Sequence, residues 1–204
     1  MVTEKGLKKD PDLGKKIDSA IIPGLQGGPH DNQTAAIAVC LKEAATPAFK
    51  KYGTQIVKNA KVLADELSRL GFELVSGGTD NHLILIDLKN KGINGKIAAY
   101  ALEVANIVVN MNGVPFDTEP PFYPSGIRLG TPAITTRGLM EKDMVKIANW
   151  ISQVIDEVKN EKLPKEREQR SDFVKAFRLR ADKNKNLLKI AQEVKSLTKN
   201  FPTP

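Results

Sequence analysis

The sequence predicts a mixed architecture of helices and short strands, α/β overall with an α+β small domain as its main body. Three observations carry that reading. Long apolar stripes recur at helical spacing, short runs such as HLILIDL and GIRLG have strand character, and turns rich in Gly and Pro separate the two. The 204 residues suffice for one ordinary domain plus a piece of another. Apolar residues make up 41% and charged residues 27%, a globular mixture with no collagen-like, mucin-like or disordered tract.

Residues 1–28 hold Gly6, Pro11, Gly14, Pro23, Gly24, Gly27 and Gly28, a loop composition with one short strand expected at Ile21–Ile22. Compact domains rarely begin with so long a structureless lead, so the chain is expected to start inside something larger. DNQTAAIAVCLKEA then reads as a helix capped by Asp31 or Asn32. A second helix is expected from Pro47 to Leu70, with Phe49, Ile56, Ala60, Leu63 and Leu67 on its apolar stripe and Gly71 as its stop. FELV (72–75) is a strand leading into the turn SGGTDN, and HLILIDL (82–88) is the next strand. A helix over 96–105, a short strand IVVN (107–110), a Pro- and Gly-rich loop over 111–125 and the strand GIRLG (126–130) follow. One helix is expected over 136–158, Pro164 breaks it, and one or two more fill 165–197. There is no internal repeat.

No apolar run approaches the roughly 20 residues of a membrane span. The N-terminus has no apolar core behind its charges and does not read as a signal peptide. Cys40 is the one cysteine, which suits a reducing, cytoplasmic setting. Together with His30 and His82 it makes no zinc-type spacing, so no metal site is expected. From Lys159 onward thirteen Lys and Arg stand against six Asp and Glu, an excess equal to the whole net charge of +7. Such a tail can attract nucleic acid. Its interspersed Leu, Ile, Val and Phe, and the lack of any nucleic-acid motif, favour a solvated helix face instead.

Three stretches carry candidate chemistry. In PGLQGGPH (23–30), Gly27 and Gly28 let the backbone approach a ligand and turn amides toward a phosphate, although Gly-Gly-Pro also makes ordinary turns. In SGGTDNHL, Asp80, Asn81 and His82 either hold the turn or offer a catalytic imidazole, and turn-holding is the commoner use. In VNMNGVPFDTEPPFYPSGIRLGTPA (109–133), a long loop leads to Arg128, set mid-strand between Ile127 and Leu129. An arginine there needs an anion: either a ligand carboxylate gripped by its planar fork or an internal acidic residue. The neighbouring loop favours a ligand.

QGGPH, AIAVCLKEA, YGTQIVKNAKVLADEL, LVSGGTDNHLILIDL, VNMNGVPFD and SGIRLGTPAITTRG, in this order and spacing, resemble the C-terminal half of the serine hydroxymethyltransferases. The resemblance runs from about Gly6 to the C-terminal helices. It implies a pyridoxal 5′-phosphate enzyme of the aminotransferase-like fold (fold type I), active as a dimer or tetramer, that interconverts serine and glycine with tetrahydrofolate as one-carbon carrier. The cofactor is then the electron sink. Residues 1–46 would be a remnant of the large cofactor-binding domain and 47–204 the small domain. By the same resemblance Arg128 grips the substrate carboxylate, and Gly27 and Gly28 reach the cofactor phosphate of a neighbouring subunit. Asn112, Pro120, Pro121 and Phe122 line the folate site.

The departures also carry expectations. Ile22 stands where the family has Phe, removing an aromatic surface, and Asn32 replaces a family histidine. None of the lysines stands in the Thr-His-Lys-Thr context that holds the cofactor, so no catalytic residue is assigned. The leading expectation is therefore a partial or split transferase subunit that needs the missing half for activity. The alternatives are a non-catalytic module binding an amino acid or folate through Arg128 and Asn112, or RNA through the basic tail, and a poorly folding product. Residues 31–46 would pack on the missing large domain and expose an apolar patch without it.

Overall fold

The computed structural model describes residues 3–203 and divides into two compact units, residues 1–49 and 50–204. In the first unit the helices α1 (Glu4–Lys9) and α2 (Leu13–Ser19) lead into an irregular helical turn (Ala20–Leu25), and α3 spans Asp31–Ala44. Much of 4–25 is thus helical where loop and a short strand were expected, although Ile22 keeps extended backbone and 26–30 is non-helical, as the Gly-rich composition implied. Local signals explain the difference. The Thr3 hydroxyl accepts from the Gly6 amide at 3.2 Å, and Glu4 opens and Lys8 and Lys9 close the first helix. Pro11 falls in the turn after it and Pro23 in the irregular segment, so the Gly and Pro residues mark where short helices break. The cap before α3 is His30, one residue earlier than expected, and it makes no side-chain capping bond.

The second unit is α+β. Helix α4 (Pro47–Arg69) crosses into it from the first and stops at Gly71, whose φ of +77° only glycine adopts without cost. Four strands, β1 (Glu73–Leu74), β2 (Leu83–Asp87), β3 (Asn110–Asn112) and β4 (Gly126–Gly130), form one antiparallel sheet in the order β1-β2-β4-β3. Helix α5 (Gly95–Val104) connects β2 to β3. After β4 come the single turn α6 (Pro132–Thr136) and the helices α7 (Glu141–Val158), α8 (Arg167–Ala181) and α9 (Lys185–Lys199). The single helix expected over 136–158 is interrupted, because Gly138 takes φ +95°. Met140 caps α7, with the Asp143 carboxylate accepting the Met140 amide at 3.0 Å.

Strand alternation sends Ile84, Ile86 and Ile127 to one face of the sheet, where all three are fully buried. Leu63 and Leu67 of α4, Ile97 and Leu102 of α5, Met144 and Ile151 of α7, Phe177 of α8 and Leu187 of α9 complete that core. The helices therefore cover one face of the sheet. The residues of the other face, Leu83, Leu85 and Arg128 among them, alternate with the buried ones and are exposed or half-buried. The strand expected at 107–110 begins at Asn110. Ile107 and Val109 are instead drawn to the edge of the core, and only three residues of β4 offer partners.

Candidate functional site

The open face of the sheet places the sequence candidates. Arg128 lies opposite Leu85 of β2 and Asn110 of β3, and Asn112 lies opposite Gly126. Arg128 is exposed, and among the described residues its guanidinium makes no ion pair or hydrogen bond. The internal acidic partner that the sequence left open is not there. Arg128 lines a concavity of ≈ 470 Å³ together with Lys96, Tyr100, Asn110, Asn112 and Arg178. Tyr100 is held in place by donating to the Asp182 carboxylate at 2.9 Å, and partial burial, then that bond, push its phenol above its ordinary pKa. The Arg178 guanidinium stacks over its ring at 4.6 Å. The wall of the concavity is thus fixed, while Arg128 keeps a free fork.

The loop over 113–125, between β3 and β4, is organised around one carboxylate. Asp117 accepts the Ser125 hydroxyl at 2.7 Å and the amides of Ser125, Glu119 and Val114 at 2.9, 3.1 and 3.3 Å. Burial alone would raise its pKa. The bonds from Ser125, Glu119 and Val114 outweigh that and hold the carboxyl below the usual carboxylate range. The loop closes further through the Tyr123 amide on the Pro120 carbonyl at 2.8 Å, and Asn94 and Gly95 at the start of α5 donate to the carbonyls of Tyr123 and Pro124. Held in this way, Pro120 is half-buried while Pro121 and Phe122 face solvent, Phe122 at 74% exposure. Asn112, at the start of the loop, is half-buried and donates its side-chain amide to the Gly113 carbonyl at 2.7 Å.

Sequence reasoning passed over Phe116. It is 99% exposed and its φ is +56°, a left-handed conformation that a phenylalanine rarely takes. Exposed aromatic surface on strained backbone is a mark of a binding loop. The only sequence signal was an aromatic between Pro115 and Asp117, which by itself is unremarkable in a turn.

Within the first unit, Gly27 and Gly28 form part of a separate concavity of ≈ 510 Å³ with Leu25, His30, Gln33 and Ile37. A methyl group at either glycine would meet nothing within 4 Å, and neither amide has a hydrogen-bond acceptor among the described residues. The turn therefore presents bare amides at the start of the fourteen-residue helix α3. The middle of that helix, residues 35–41, is apolar, and none of its residues is buried: Ile37, Val39 and Leu41 are 60%, 58% and 64% exposed.

The Asp80–His82 cluster does turn-holding work. Asn81 accepts the Leu83 amide at 2.8 Å, Thr79 donates to the Leu83 carbonyl at 2.7 Å, and the His82 carbonyl accepts from the Thr131 amide. The basic C-terminal segment is the solvated face of two amphipathic helices whose Val174, Phe177, Leu187 and Ile190 lie in the core. Among the described residues there is no cluster of metal-ligating side chains, and no helix is long and apolar enough to cross a membrane.

The profile of the family described as serine hydroxymethyltransferase matches residues 1–151. A serine hydroxymethyltransferase of Desulfotalea psychrophila is 50% identical over 193 residues, covering 95% of this chain and 40% of that protein. The enzyme of Acidothermus cellulolyticus is 52% identical over 192 residues, covering 93% and 40%. That of Bartonella tribocorum is 54% identical over 156 residues, covering 76% and 36%. The chain thus spans about 40% of the length of the first two of these relatives.

Proposed function

Because this chain belongs to the serine hydroxymethyltransferase family, we propose that it forms the amino-acid- and folate-facing part of an enzyme that interconverts serine and glycine with tetrahydrofolate. Residues 47–204 are then the small domain of an aminotransferase-like fold and residues 1–46 a portion of its large domain. The working assembly is a homodimer or tetramer, or a complex with a separate large-domain chain, in the cytoplasm.

The observation that carries the reading is the free guanidinium of Arg128 on the open sheet face, next to a loop whose every turn is tied down. A carboxylate matches that fork with two parallel, charge-assisted bonds, which fix the orientation of an amino acid as well as bind it. Beside it, Asn112 offers an amide to a polar heterocycle, and Pro120, Pro121 and Phe122 offer an apolar edge that excludes water from one side. Because the Asp117 network sets the loop beforehand, little ordering remains to be done on binding.

The residues present fit one end of pyridoxal 5′-phosphate: the unpaired amides of Gly27 and Gly28, before the N-terminus of α3, suit its phosphate. When bound, the cofactor supplies an electron sink for bond breaking at the substrate α-carbon. The amine that carries it comes from outside this chain's lysines, none of which stands in the family's motif.

The test is complementation. The chain is mixed with a segment corresponding to the remaining 60% or so of the relatives' length, with pyridoxal 5′-phosphate, and conversion of serine to glycine is assayed. Activity above either part alone, lost in Arg128→Ala, is the expected result. A complex that forms and cleaves serine equally well with Arg128→Ala would overturn the assignment.

A further inference from the structure

Helix α8 buries a stripe of four residues, Arg170, Val174, Phe177 and Ala181, at helical spacing. Three of them are apolar. The fourth is an arginine only 9% exposed, at a position where the helix pattern calls for a leucine or isoleucine. Burying a guanidinium is costly, and an apolar residue in such a place is commonly as stable or more so. Packing therefore does not explain Arg170.

Its contacts do. Nη1 donates to the Glu119 carboxylate at 2.6 Å and Nε to the Pro164 carbonyl at 2.9 Å. The guanidinium carbon lies over the Tyr123 ring, 5.5 Å from its centroid, and the Lys96 ammonium approaches the same ring at 4.5 Å. Glu119 and Tyr123 bracket the segment Pro120–Phe122, and the Tyr123 amide turns back onto the Pro120 carbonyl. The arginine thus reaches from the core face of the C-terminal helices to both ends of the exposed segment.

We infer that Arg170 is a positioning residue that braces the Pro120–Phe122 segment through Glu119 and Tyr123, fixing the edge it presents to ligand. This rests on the reading that the segment lines a folate subsite. The role is specific to the loop: the same helix is held in the core by Val174, Phe177 and Ala181 whether or not the brace exists.

The experiment uses the full chain with Arg170→Leu, Glu119→Gln, and Arg180→Gln as a control on the same helix that removes the surface pair with Glu161 and the approach to the Phe173 ring, neither of which involves the loop. Amide hydrogen exchange is followed at Glu119, Tyr123 and Ser125 in the loop and at Ile84 and Ile86 in β2, and each chain is titrated with tetrahydrofolate. The brace predicts exchange about tenfold faster at the three loop amides in Arg170→Leu and Glu119→Gln, the equivalent of one charge-assisted bond in a local opening. The β2 amides stay as slow as before, and tetrahydrofolate binding weakens by a similar factor. Arg180→Gln changes neither. Unchanged loop exchange in Glu119→Gln, the milder variant, overturns the inference, as does loosening with no loss of affinity. If the unmodified chain ignores tetrahydrofolate while the loop amides still respond, the folate reading fails and the brace stands.

Discussion

Replacing Asp117 with alanine removes the acceptor of four hydrogen bonds at once, and the structure says which of them matter. Ser125 is 5% exposed and gives Asp117 two short bonds, at 2.7 and 2.9 Å. Bonds to a charged acceptor contribute about 1.5–3 kcal/mol each, and a buried donor left alone costs about 1–3 kcal/mol. The two come from one residue and are not independent, so together they are worth about 2–3 kcal/mol. The Val114 and Glu119 amides, at 3.3 and 3.1 Å, are longer bonds; Glu119 is half-buried, so water can replace the carboxylate there, while Val114 is buried. They add about 1 kcal/mol between them. Asp117→Ala is therefore expected to lower stability by about 3 kcal/mol at neutral pH. Trp150 is the only tryptophan and sits in α7, so its fluorescence follows urea unfolding of the 50–204 unit. A loss below about 1 kcal/mol would refute the reasoning, since it would leave only ordinary neutral bonds.

The pH dependence gives a second, independent check. The Asp117 carboxyl is held below its ordinary value by the bonds it accepts. The unfolded chain therefore binds the proton more readily than the folded one, and stability rises with pH across the interval between the two values. The contribution is complete above the unfolded value, about 3.9, and is lost as pH falls through the folded one. The gap between wild type and Asp117→Ala should narrow below about pH 4. A gap as wide in acid as at neutral pH would mean that the carboxylate's charge plays no part.

Arg128→Ala should leave urea stability within about 0.5 kcal/mol, because an exposed guanidinium without a protein partner holds nothing together; a larger loss would reveal a structural role. Gly126→Ala should cost about 1–3 kcal/mol or more in thermal unfolding. Its new methyl would lie 2.5 Å from the Ile86 carbonyl oxygen and 2.6 Å from Val114, inside the paired sheet, and a neutral result would mean that β2 and β4 part easily. Ile37→Lys with Leu41→Lys should shift the free chain from self-associated species toward monomer in size-exclusion chromatography without moving the Trp150 transition. A wild-type chain already monomeric at high concentration would refute the view that α3 is a face awaiting cover.

Much of the second unit was legible in the sequence because its signals are local. The short apolar runs in HLILIDL and GIRLG marked both central strands, and the apolar stripe from Pro47 with Gly71 behind it marked the long helix. Where local signals compete, reading failed. IVV has strand composition, yet Ile107 and Val109 are drawn to the core and pairing starts at Asn110. The Gly- and Pro-rich lead looked like loop, but a Thr cap and well-placed charges suffice for short helices between the breakers. Long-range polar contacts leave no local trace at all. Nothing near Arg170 announces Glu119, fifty-one positions away, and nothing near Arg128 says whether an internal carboxylate will reach it.

That last question bears on how a candidate site is recognised in a chain that spans part of its relatives' length. Among the described residues, no buried side-chain nitrogen or oxygen lacks a hydrogen-bond partner. Asn59, fully buried, donates to both Thr135 and the Leu139 carbonyl, and Arg137 to the carbonyls of Thr198 and Phe201. Polar groups that serve the fold are thus tied within it. Arg128 and the Gly27–Gly28 amides depart from that rule in the same way: each is a donor suited to an anion, each lies in a concavity, and each has only solvent to bind. Several exposed lysines are paired with nearby carboxylates, as Lys61 is with Asp65 and Lys89 with Asp87, and an ammonium lacks the planar fork. The two amides at a helix start are held by backbone, so their direction is set before any ligand arrives, whereas the Arg128 fork stays free to turn onto an anion.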